Sequence, residues 1–105
     1  MNGIRYDHDV IVEAGRVRPR DKRPSRPLKA RFGHTPLSAA EDLPASASLL
    51  VVGTGDSARL PILPEVVAAA EGRGAEVRAM PTSQACALLR TLEASQADAV
   101  LHVTC

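Results

Sequence analysis

Leu49, Leu50, Val51 and Val52 make an unbroken apolar run that ends in the turn Gly53-Thr54-Gly55. Such a run, bounded by a turn, fits a strand covered on both faces, the kind that sits at the centre of a parallel sheet. The next stretches obey the same logic. Leu63, Val66, Val67 and Ala70 stand at i, i+3, i+4 and i+7, with Pro64 suited to the first helical position and Gly72 or Gly74 to the end. Residues 75–80, AEVRAM, alternate as a strand does. Thr82 is placed to cap a helix carrying Ala85, Leu88, Leu89 and Leu92 on one face, and residues 98–103, DAVLHV, make a last buried strand. Strand, helix, strand, helix, strand with right-handed crossovers predicts helices over a largely parallel sheet.

The amino-terminal part adds a hairpin. Ile4 and Tyr6 alternate, Val10, Ile11 and Val12 follow, and Arg16 and Val17 come after the turn Glu13-Ala14-Gly15. Residues 19–33 combine three prolines with basic charge and no period, so they read as an extended loop. Ser38 and Glu41 have the spacing of a capping box for a short helical turn that Pro44 would stop. The expected architecture is α/β: a single compact three-layer domain over residues 1–105, with a central mixed, mostly parallel sheet flanked by helices and an amino-terminal β-hairpin layer. A chain of 105 residues buries roughly two thirds of its unfolded surface around one core.

Aromatic residues are 2% of the chain, Tyr6 and Phe32 alone, so the core is aliphatic and stacking of single-stranded bases lacks its rings. Charge is unevenly spread. Residues 16–31 hold eight basic side chains against Asp21, +7, while the other 89 residues carry five basic and eleven acidic ones, −6. Such a block attracts phosphate or an acidic protein surface when it is free, and is otherwise a solvated loop. The acidic remainder makes nucleic acid the weaker choice of partner. The first residues lack the apolar stretch of a signal peptide and nothing approaches a membrane span, which predicts a cytoplasmic protein without membrane insertion. Cys86 and Cys105 are too few and too far apart for a secreted disulfide framework, so free thiols are expected.

Gly53, Gly55 and Ala58 fit the G-x-G-x-x-A dinucleotide fingerprint. The fit is formal. A dinucleotide site needs its turn to run straight into a helix whose first N–H groups hold the pyrophosphate, and Pro61 and Pro64 delay that helix to Pro64. Glu76, at about the distance of a ribose acid, sits early in its strand instead of at the far end. No lysine follows the glycines, which excludes the Walker pattern. No cofactor is predicted. Gly53, Thr54, Gly55, Asp56 and Ser57 nonetheless offer backbone donors and small polar groups at a strand end, where ligands of open parallel sheets collect, so a small-ligand or anion pocket stays open beside a purely structural turn.

His102 and Cys105 form H-x-x-C at the end of the sequence, but two residues three apart on a strand point to opposite faces and the remaining candidates, Cys86, His34 and His8, lack ligand spacing. No metal is predicted. Cys86 falls near the first turn of its helix, where a dipole lowers a thiol pKa, yet it stands one residue from the apolar stripe and reads first as a small hydrophobe. There is no Ser, His and Asp set, so no catalytic residue is assigned. His34, His102 and Cys105 are kept as neighbours of a possible pocket.

Ile4, Tyr6, Asp7 and Asp9 in IRYDHDVIV, His34 and Leu37, VVGTG at 51–55, Pro64 and Glu65, Pro81 and Thr82, Ala85 and the closing LHVTC together resemble a small α/β family of unassigned activity. It includes the mitochondrial complex I assembly factor three and the adipogenesis-associated domain protein. The resemblance implies a mixed sheet flanked by helices, a glycine loop with no established nucleotide, and a role as assembly or regulatory partner. Where many relatives have an aromatic residue and an asparagine, this chain departs with Leu89 and Arg90. Two functions follow for test: a non-catalytic protein-interaction or assembly module using Gly53–Ser57 and the basic loop, or a small-ligand domain, enzymatic or not, using the same turn.

Overall fold

Ala14 and Gly15, with φ of 52° and 78°, turn the chain back on itself between β1 (Val10–Glu13) and β2 (Arg16–Pro19). Two successive positive φ angles match the natural twist of paired strands, which offsets the roughly 1–2 kcal/mol that a left-handed conformation costs Ala14. The computed structural model describes residues 8–29, 35–55 and 60–103. Beyond the hairpin it contains β3 (Leu49–Thr54), α1 (Pro64–Gly72), β4 (Glu76–Met80), α2 (Thr82–Leu89) and β5 (Asp98–His102).

Among the described residues the sheet has five strands in the order β2-β1-β5-β3-β4. β3 pairs parallel with β4 and β5, and β1 pairs antiparallel with β2 and β5, so the hairpin extends the same sheet. From β3 the chain crosses to β4 through α1 and returns past β3 to β5 through α2. Right-handed crossovers in opposite directions put the two helices on opposite faces. The strands show it: Leu50, Val52, Ile11 and Val100 pack with Val66 of α1, while Val51, Val10, Ala99 and Leu101 pack with Ala85 of α2. Both faces of β3 are therefore buried, as its apolar run requires.

Pro64 opens α1 as expected, and Gly74, at φ 80°, closes it. Gly74 N–H reaches the Glu71 carbonyl and Ala75 N–H the Ala70 carbonyl, the paired bonds by which a left-handed residue stops a helix. The stretch before Pro64 is held extended by a bridge: Leu37 N–H donates to Pro61 C=O at 2.8 Å and Leu63 N–H to Leu37 C=O at 3.0 Å. Among the described residues no helix is long and apolar enough to cross a membrane.

Four local expectations change. The basic stretch is not simply extended, because Arg23–Leu28 form a 3-10 helix in which Ser25 and Arg26 donate to the Lys22 carbonyl. Its prolines, Pro24 and Pro27, fix φ near the helical value and cost little where few N–H donors are needed. Ser38 and Glu41 form a turn without a helix, since both side chains are engaged elsewhere. Thr82 is the first residue of α2 with Pro81 as its cap, and its hydroxyl serves β5 instead of the helix end. The helix stops at Leu89, leaving Leu92 to pack on the same core from the following turn.

Candidate functional site

Continuing the two registers of β1 by one residue places Asp9 between Arg20 on the β2 side and His102 on the β5 side. Backbone pairing persists there, Arg20 N–H donating to Asp9 C=O at 2.9 Å. Side chains in one such row stand on one face, so an Asp, an Arg and a His meet at the edge of the α1-side core. Arg20 NH1 donates to Asp9 Oδ2 at 2.9 Å, and His102 Nδ1 lies 2.8 Å from the same oxygen. Val103 N–H donates to Asp9 Oδ1 at 3.1 Å.

Arg20 then reaches outward. Its Nε and NH2 grip Glu41 Oε1 and Oε2 at 2.7 and 2.8 Å, a two-pronged pair, and NH2 also donates to Pro36 C=O at 3.0 Å. Ser25 Oγ donates to Glu41 Oε2 at 2.5 Å, which leaves Ser38 as donor in the 2.6 Å contact between the two serines. The side chains of Arg20, Asp9 and Glu41 are 0%, 3% and 1% exposed, so these charges persist only because each is paired.

Burial works against the Asp9 carboxylate, but His102, the Val103 N–H and Arg20 outweigh it and hold its pKa at about 2. An ionised carboxylate only accepts hydrogen bonds, so His102 carries a proton on Nδ1. Burial likewise opposes the charge on Arg20, and the Glu41 and Asp9 carboxylates reverse that effect and raise its pKa.

The glycine turn joins this cluster. Thr82 Oγ1 donates to His102 C=O at 2.5 Å and accepts from Gly55 N–H at 2.8 Å, while Thr54 Oγ1 donates to Met80 C=O at 3.1 Å. Leu60 N–H closes the loop onto Thr54 C=O at 3.1 Å. A chain of hydrogen bonds therefore runs from Gly55 through Thr82 and His102 to Asp9, Arg20 and Glu41. It clasps the carboxyl ends of β3 and β5 to the start of α2.

Gly53, Thr54, Gly55 and His102 are thus neighbours at one end of the sheet. Asp56, Ser57, His34 and Cys105, and the fingerprint's Ala58, lie outside the described residues, as do Ile4, Tyr6 and Asp7. The Gly55 amide, which an anion would need, is engaged by Thr82. Cys86 sits in mid-helix, half-buried against the α2-side core, away from the first turn. Among the described residues no three His, Cys, Asp or Glu side chains are grouped to hold a metal ion. Two open hollows, of about 310 Å³ beside Leu43, Pro44, Val66 and Arg73 and about 590 Å³ beside Glu13, Val17 and Arg18, do not include the glycine turn.

Sequence reasoning missed Arg20, Glu41 and Ser25. Arg20 was hidden among seven other basic residues, and the signal available was its position, directly opposite Asp9 across a hairpin whose turn was legible.

Fold and site together define a small mixed-sheet α/β protein with a saturated ionic cluster at the carboxyl ends of its parallel strands. The chain belongs to the family described as protein of unknown function DUF498/DUF598, which matches residues 1–102. It is similar to a conserved hypothetical protein from Pyrococcus horikoshii OT3 whose crystal structure is known, with 32% identity, 100% of this chain and 90% of that chain covered, and a TM-score of 0.81. None of the curated proteins matches the chain.

Proposed function

We propose that the chain, as one domain, is a non-catalytic interaction or assembly module whose contact surface is the basic segment together with the Gly53–Ser57 turn. The burial of Arg20 carries this reading. It fastens a segment that would otherwise wander, so exposed Arg16, Arg23, Arg26 and Lys29 are presented from a fixed 3-10 turn and hairpin edge. A surface ordered before binding loses less entropy when a partner docks. Its charge suits an acidic protein face. The resemblance to the complex I assembly factor and the adipogenesis-associated protein supports an assembly role. Nucleic acid is the weaker partner, because Arg18 and Arg23 already pair with Glu13 and Asp21 at 2.9 and 2.7 Å and Arg20 is internal.

The test is affinity purification from cells with the parent chain and with R16E/R26E. The expected result is a stoichiometric partner retained by the parent and lost by the charge reversal at unchanged thermal stability. Recovery of no partner, with turnover of a defined substrate by the purified protein, counts against the proposal. The alternative, a small-ligand domain, draws on the convergence of Thr54, Gly55 and His102 at one strand end. A thermal-shift screen with nucleotides, phosphates and carboxylates separates the two, since a pocket responds and a docking face does not.

A further inference from the structure

Among the described residues the strand order leaves β2 and β4 each with one unpaired side. Open edges carry N–H and C=O groups able to extend a sheet, and proteins blunt them with charge and proline. β2 is blunted. Pro19 lacks an N–H, and a second β2 laid antiparallel about Val17 sets Arg16 against Arg18 of the other copy, like against like.

β4 is built the other way. Glu76 N–H donates to Ser48 C=O at 2.9 Å, which fixes the phase of the strand: Glu76, Arg78 and Met80 turn their backbone groups toward β3, and Val77 and Ala79 turn theirs outward. The outward groups are therefore those of the residue midway between a Glu and an Arg. Both charged side chains are exposed, at 60% and 55%, and lie 2.7 Å apart on the α2 side of the strand. On the α1 side the edge borders a hollow of about 430 Å³ lined by Val67, Glu71, Gly74 and Val77.

We infer that β4 pairs edge to edge with β4 of a second copy of this chain, about a two-fold axis through Val77. In that register the two Val77 residues exchange both backbone hydrogen bonds, and Ala79 N–H meets Ala75 C=O in each direction. Glu76 of each copy stands opposite Arg78 of the other, so four charges alternate on one face. The self-complementarity selects the register. Centring on Glu76 or on Arg78 sets like charges face to face, and centring on Ala79 brings Pro81, which has no N–H, opposite Val77. The interface is isologous and closed, joining two five-stranded sheets into one.

One strand pair lies at the small end of specific interfaces, so the dimer forms in the range of about 10 μM to about 1 mM. Sedimentation of the full chain over that range is expected to show a reversible monomer–dimer equilibrium. R78E and E76R, each alone, weaken it at least about tenfold, since each sets like charges across the axis. Mixing the two single variants in equal amounts restores the dimer as a hetero-pair, an acidic edge against a basic one, and E76R/R78E dimerises as the parent does. Thermal midpoints of all variants match the parent at low concentration, because both side chains are exposed. The inference is overturned if the parent sediments as a monomer throughout, if R78E dimerises undiminished, or if the mixed variants stay monomeric.

Discussion

Asp9 and His102 stand 93 positions apart in the chain and 2.8 Å apart in space, sharing a carboxylate oxygen with Arg20. Through that oxygen the first described strand, its hairpin partner and the last strand are tied in one row. The contact also makes stability sensitive to acid in a direction that can be worked out.

The Asp9 pKa falls from 3.8 to about 2 on folding, burial opposing the shift and His102, Val103 and Arg20 producing it. Its contribution, about 2 kcal/mol, is therefore complete above about pH 4 and vanishes as pH falls through about 2. Glu13, lowered to about 2 by the Ser46 hydroxyl, the Ala45 N–H and Arg18, acts in the same window. Denaturant titrations from about pH 6 to about pH 2 should show a steep loss for the parent and a shallower one for D9N. Superimposable pH slopes would remove Asp9 from the account.

Arg20 is bonded to both buried carboxylates, Asp9 and Glu41. R20M leaves both without it and should cost about 3–5 kcal/mol. R20K keeps the charge but not the two-pronged grip and should fall between R20M and the parent. Removing the carboxylates as well, in R20M/D9N/E41Q, should recover part of the loss. Urea midpoints for the series check this, and an R20M protein as stable as the parent contradicts the cluster's role.

A methyl group on Gly53 would stand 2.9 Å from Thr82 Oγ1, 3.0 Å from Leu101 Cδ2 and 3.1 Å from Thr82 Cα. Backbone has to move, so G53A should destabilise by about 1–3 kcal/mol. Gly72, inside α1, has nothing within 4 Å of the same position, so G72A should stabilise by about 0.4–1 kcal/mol. Opposite shifts of thermal midpoint are the expected readout; equal shifts would show that the close approach to α2 is not what requires glycine at 53.

Thr82 holds Gly55 N–H and His102 C=O with one hydroxyl. T82S preserves both bonds, whereas T82V removes both at similar volume and should cost about 1–3 kcal/mol. Hydrogen exchange at the Gly55 amide should quicken in T82V and stay protected in T82S. Unchanged protection in T82V argues that the turn is held by other means.

The fold was legible where burial imposes a period. Leu49–Val52 had to lie between two layers, Val66 and Ala70 had to face a core, and Pro64 had to begin a helix. The hairpin was readable from Gly15 flanked by β-branched residues. What could not be read was where polar side chains go. Ser38 and Glu41 have the spacing of a cap, but spacing says nothing of Ser25 and Arg20, which approach from 13 and 21 positions away and take those side chains first. Half of the site was visible for the same reason: Gly53, Thr54, Gly55 and His102 end apolar strands, whereas Arg20 sits in a stretch whose composition resembles solvated loop.

β5 is the last strand in chain order, yet it stands between β1 and β3. As the polypeptide leaves the ribosome, the hairpin has no neighbour to join until residues 98–102 emerge, and the parallel half waits with one flank bare. The sheet therefore closes slowly for its size, because β1 and β5 pair across about 90 positions, and it is most exposed to mispairing in the interval before that strand slides in.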